Sequence, residues 1–229
     1  AGPWTAAATS TETTLVFDPH HELTSRSIYS EEERSAMAAQ LDPLAGLLRA
    51  DTWRDWLRLV RFPESPAVGT PAPDFELALS DGGRLRLEDR RGRIAVFVFA
   101  SLTSPEARMQ VPRFETLADR FRDDGIDVFV VYNRERHAGE RGFPNRAPAT
   151  TPEQRAAHAR ELAATTALPV AIDAVDDAVA RQYGDVPNSA WVVGREGTIV
   201  FRATWADAGK VEQVLERMLR HERRSRPVG

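Results

Sequence analysis

The sequence predicts an α/β fold, a central sheet covered by helices, and three observations point to it. Ile94 to Ala100 is apolar at every position, as a strand buried on both faces must be. Ile126 to Tyr132 is a second buried strand, and the 105–122 stretch between them carries Val111, Phe114, Leu117, Ala118 and Phe121 on one helical face, so the three make a β-α-β unit. Apolar alternation before that unit marks one hairpin, and two short apolar segments joined by a glycine turn after it mark another.

Taken in order, residues 1–66 form an N-terminal arm and helical extension, and residues 67–229 form the α/β domain. Residues 1 to 13 are small and polar, without helical or strand spacing. Ser30 followed by Glu31, Glu32 and Glu33 sets a capping hydroxyl three residues before a carboxylate, which starts a helix. Asp42-Pro43 is a second cap with a first-turn proline, and Trp53, Trp56, Leu57 and Val60 make a stripe at helical spacing. Such stripes pack mainly on their own domain; an intersubunit surface in a homodimer is the alternative. Prolines from Pro63 to Pro73 mark the boundary.

Beyond it, Phe75, Leu77 and Leu79 alternate, residues 80–83 turn, and Leu85 and Leu87 alternate again, which predicts an N-terminal β-hairpin. After the β-α-β unit come a helix at 152–165, a short strand from Pro169 to Ile172, and a helix over 174–183. Ala190 to Val193 and Thr198 to Phe201 form a closing hairpin. Val211, Val214, Leu215, Met218 and Leu219 give a terminal helix.

The composition removes several function classes. The chain has no cysteine, which excludes disulfides, thiolate nucleophiles and Cys-ligated zinc or iron–sulfur centres. Thirty basic and thirty-four acidic residues are interleaved and leave a net charge of −4, so no block of positive charge grips nucleic acid. No apolar run approaches the roughly 20 residues that cross a bilayer, so no membrane partner is expected. The chain opens at Ala1 without a methionine, which leaves a removed leader open; the cytoplasm is the default expectation. His20-His21-Glu22 lacks further ligands at metal spacing, Asp173, Asp176 and Asp177 read as helix caps, and no cofactor is expected.

Two strings carry a resemblance. "VGTPAPDFEL" at 68–77 is similar to the first strand of peroxiredoxins and TlpA-type redoxins, and "FASLTSPEARMQVP" at 99–112 can be laid on their active-site turn. The order of elements likewise resembles the thioredoxin-like superfamily, which implies a three-layer fold. Ser104 stands at the position of the nucleophilic cysteine and Ala107 at that of the resolving one, while Arg108 and Pro112 match the residues that usually come after them. Both sulfurs are missing.

A narrower resemblance is to the iodothyronine deiodinase family and its bacterial relatives. Thr103-Ser104-Pro105 stands where that family has Thr-Sec-Pro or Thr-Cys-Pro, "VYNRERHAGERGF" at 131–143 is similar to its Tyr-x-x-Glu-x-His segment, and "YGDVPNSAWVVGREGTIVF" at 183–201 to its Tyr-Gly-x-x-Pro segment and final hairpin. The resemblance implies a site with Ser104, Glu135 and His137 in the catalytic positions. Thr103, Pro105, Arg108, Tyr132 and Pro187 would line a pocket for a small aromatic or halogenated molecule, with Pro187 in the cis form opposite Ser104.

Read from its own chemistry, Ser104 before Pro105 is an ordinary helix cap. A chalcogen there would be activated by the helix amides; an aliphatic hydroxyl is too basic to gain from them and has no redox cycle. Three readings are open: a deiodinase-like redoxin that lacks its chalcogen and is redox-inactive, a thiol-free binding or interaction module, or an enzyme that pairs Ser104 with His137 for non-redox chemistry. His137 and Glu135 sit in the long 133–151 segment, a length that marks functional or disordered loops.

Overall fold

The computed structural model describes residues 65–139 and 143–225. The Ser30 capping box, the tryptophan stripe and the His20-His21-Glu22 cluster lie outside these residues.

One seven-stranded mixed sheet organises the domain. Its strands are β1 (Glu76–Leu79), β2 (Arg84–Arg86), β3 (Ile94–Ala100), β4 (Ile126–Tyr132), β5 (Val170–Ile172), β6 (Ala190–Val193) and β7 (Ile199–Ala203), in the spatial order β2-β1-β5-β4-β3-β6-β7. The centre, β5-β4-β3, is parallel, and the strands on either side join it antiparallel. β3 and β4 run in full register from Ile94 opposite Ile126 to Ala100 opposite Tyr132. Their carboxyl ends therefore finish side by side, and the loops that leave them meet.

Alternation along β3 builds two cores. Ile94, Val96, Val98 and Ala100 face one way and pack with Phe114 and Leu117 of α1 (Pro105–Arg120), Ala159 and Leu162 of α2 (Pro152–Ala163), and Val211 and Leu215 of α4 (Ala208–Ser225). Ala95, Phe97 and Phe99 face the other way, into an aromatic cluster with Phe75, Phe129, Tyr183 and Trp191 beside α3 (Ala178–Gln182). Phe97 stacks on Phe129 at 5.5 Å, and Tyr183 meets Trp191 edge-on at 4.8 Å. Helices on both faces of one sheet make the expected three layers.

Most elements fall within two residues of where the sequence places them, and three of the differences have a local cause. The helix expected over 174–183 begins only at Ala178. Ahead of it Asp177 closes a tight turn on the Ala174 carbonyl at 2.8 Å with φ 55, a conformation that ends any earlier helical run. β7 begins at Ile199 rather than Thr198, which makes an isolated bridge with Pro71. Finally, the helix expected at 152–165 stops at Ala163, where the Thr165 hydroxyl turns back onto the Leu162 carbonyl. Residues 65–72 flank β7, where the Gly69 amide donates to Ile199 and the Ile199 amide to Thr70.

Candidate functional site

The site lies at the carboxyl ends of β3 and β4, the end where open α/β sheets place their ligands. Ser104 is the N-cap of α1, with extended backbone (φ −87, ψ 111), and its Oγ accepts from the Ala107 amide at 3.3 Å. Pro105 takes the first helical position, where its missing N–H costs nothing. Both residues are buried, and so are Thr103, Tyr132, Glu135 and His137; Arg108 is exposed on α1 and Pro187 half-buried.

Ser104 does more than cap. Its Oγ lies 2.5 Å from Glu106 Oε2 and 2.8 Å from Asn188 Oδ1, and Asn188 Nδ2 donates to the same Glu106 oxygen at 3.2 Å. Burial, against the hydrogen bonds of Ser104 and Asn188, holds the Glu106 carboxyl above the usual carboxylate range.

Glu135 organises the loop before the helix. Its Oε2 accepts the Thr103 amide at 2.7 Å, and its Oε1 accepts the Leu102 amide at 3.3 Å and the Tyr132 hydroxyl. Burial and the Glu135 charge raise the Tyr132 phenol far above its ordinary value, so it stays a donor. His137 joins through its backbone, its amide donating to Thr103 Oγ1 at 3.1 Å. Beneath them, Arg155 is almost fully buried, lies 6.0 Å from the Tyr132 ring and pairs with Asp177 at 2.9 Å; Asp177 also holds Arg134. Asp173 accepts the Val179 and Ala180 amides at 3.0 and 2.8 Å, so it serves the start of α3 as the sequence suggested.

The structure thus brings Thr103, Ser104, Pro105, Tyr132, Glu135 and His137 to one corner. Pro187 is corrected: every described peptide bond is trans. Pro187 followed by Asn188 at φ 58 has the pattern of a type II turn, which takes its proline trans. It is the residue after the proline that reaches Ser104. Asn188 and Glu106 were missed from sequence. Glu106 reads as an ordinary first-turn acid and Asn188 as an ordinary turn residue, and no spacing joins residues 82 apart.

A cleft of about 540 Å³ opens beside this corner, bordered by Phe143, Pro144, Asn145, Arg146, His158 and Glu161. Arg146 pairs with Glu161 at 2.6 Å, and His158 Nδ1 is buried without a hydrogen-bond partner among the described residues. Among the described residues no group of three or more His, Cys, Asp or Glu could hold a metal, and no helix is long and apolar enough to cross a membrane.

Solved structures share this architecture. A protein assigned as the thiol:disulfide interchange protein DsbE of Chlorobium tepidum superposes with a TM-score of 0.53 at 20% identity, over 67% of this chain and 98% of its own. The thioredoxin domain of a thiol-disulfide oxidoreductase from Bacteroides vulgatus gives 0.51 at 19% identity, over 67% and 99%. At such identities the likeness shows a thioredoxin-like fold. No curated protein matches the chain. The sequence of residues 68–204, from the flank of β7 through both central strands to the closing hairpin, matches AhpC/TSA, and the chain is a member of the AhpC/TSA family.

Proposed function

We propose that this is a redoxin-fold protein without its chalcogen nucleophile, redox-inactive and descended from an oxidoreductase that acted on a small aromatic or halogenated molecule, as the deiodinase-like strings suggest. One observation carries the reading. The residue that opens α1, where the resemblance puts the nucleophile, is a serine sealed from solvent and bonded to Glu106 and Asn188, in a chain with no cysteine anywhere. A hydroxyl so engaged has no thiolate to offer and no free path to a substrate. Its remaining work is binding. The neighbouring cleft has the volume of a small-molecule pocket and is bordered by Phe143, His158 and the Arg146–Glu161 ion pair.

The test uses the intact protein with 2,6-diiodophenol and, as a control, unhalogenated phenol, read by amide NMR shifts. Saturable shifts confined to residues 135–139, 143–147 and 158–161 among the described residues are expected, together with no peroxide or disulfide turnover. No saturable shift at millimolar ligand, or thiol-independent redox turnover, would overturn the reading.

A further inference from the structure

Ser104, Glu106 and Asn188 form a triangle whose protons can be counted. Each of its three edges, 2.5, 2.8 and 3.2 Å long, is a hydrogen-bond distance and needs one proton. The serine hydroxyl supplies one. The asparagine amide supplies one more, whichever way round it is turned, because only one of its two terminal atoms carries hydrogen. With Glu106 ionised, one edge would set two lone pairs against each other in a buried site. With Glu106 neutral, its proton completes the ring: Glu106 donates to Ser104, Ser104 to Asn188, and Asn188 back to Glu106.

We propose that Glu106 is held as the carboxylic acid and that its proton latches the turn carrying Asn188 onto the start of α1, a latch that opens when the acid ionises. The three side chains are 5%, 0% and 6% exposed, so bulk water does not reach the ring to supply the missing proton. The other ionisable groups of this corner are Arg108 on α1, Glu135 and His137 on the loop after β4, and Asp185 ahead of the turn. Glu135 is taken by the Leu102 and Thr103 amides and Asp185 by Arg134, and what acts on Glu106 is burial, Ser104, Asn188 and its own backbone amide. A carboxyl raised by folding stabilises the folded state below its unfolded value of about 4.3, and that contribution is lost as pH rises through the folded value. The latch is therefore closed in acid and opens towards alkali. As a control on access to the site it rests on the reading of that site as a binding pocket, whereas its test needs no ligand, so the two can fail separately.

Carboxyl-labelled glutamate NMR on the full chain should show one protonated carboxyl at pH 7 that is absent from Glu106→Gln. Hydrogen exchange of residues 184–190 should rise between pH 6 and pH 9 by about tenfold more than base catalysis alone, the equivalent of one unit of titration. Glutamine is a neutral isostere that can donate to both neighbours once Asn188 turns its amide, so Glu106→Gln should follow base catalysis alone. A Glu106 carboxyl that titrates in the ordinary range overturns the proposal, as does exchange in the wild type that shows no excess. Both readouts can be taken on the wild type should the variant fail to fold.

Discussion

A hydroxyl and a thiol at position 104 would meet the same amides yet behave differently, and the surrounding side chains decide how. From sequence alone a cysteine there should be activated by the helix start. Full burial acts the other way, and the hydrogen bond to Asn188 holds the side chain away from solvent. Ser104→Cys should therefore be alkylated more slowly than free cysteine at pH 7, and Ser104→Cys with Asn188→Ala faster than Ser104→Cys alone; iodoacetamide kinetics measure both. Glu135 offers a second test. Replacing it with glutamine leaves one oxygen to serve two amides and a phenol, and an unmet buried donor costs about 1–3 kcal/mol. Urea unfolding of Glu135→Gln should show a loss of that size.

Among the elements, β3 and β4 were legible to the residue because strongly apolar runs of seven have few other uses, and the start of α1 because Ser104-Pro105 is a cap and first turn in two residues. α3 was not. Its start depends on Asp173 and on the positive φ of Asp177, whose carboxylate binds Arg134 and Arg155 from distant segments. The candidate site was half visible for the same reason: Thr103, Glu135 and His137 sit in recognisable strings, whereas Glu106 and Asn188 acquire meaning only by meeting. Pro112 makes an element-level prediction. It sits exposed inside α1 and cannot donate to the Arg108 carbonyl. Pro112→Ala should stabilise the protein by about 1–2 kcal/mol, the gain of a helical bond being partly offset by a freer unfolded chain. Thermal melts check it. Asp127, in β4, is ion-paired by Arg93 at 2.7 Å and by Arg90, which outweigh its partial burial and hold its carboxyl below the usual range. A lowered carboxyl adds stability above its unfolded value that is lost as pH falls through the folded one. Asp127→Asn should thus cost roughly 0.5–1 kcal/mol at pH 7, the half-exposed arginine keeping it small, and nothing in strong acid, as urea midpoints at the two pH values would show.

For the whole molecule, Val68 is the one large hydrophobic exposed among the described residues. The tryptophan stripe of the N-terminal extension is the place to look for a subunit contact. Deleting residues 1–62 should lower the melting temperature without changing the mass read by light scattering across concentrations; a drop from dimer to monomer would make the stripe an intersubunit surface. At the opposite end of the sheet from the site, Arg195 donates to the carbonyls of Gly92, Gly125 and Asp124, just before β3 and β4, and to Glu222 on α4. One planar fork therefore staples two strand beginnings to the last helix, a geometry that the single nitrogen of lysine cannot copy. Under mechanical load or slow heating this end should part after the corner around Ser104, and Arg195→Lys should therefore speed unfolding in urea more than Glu106→Gln does.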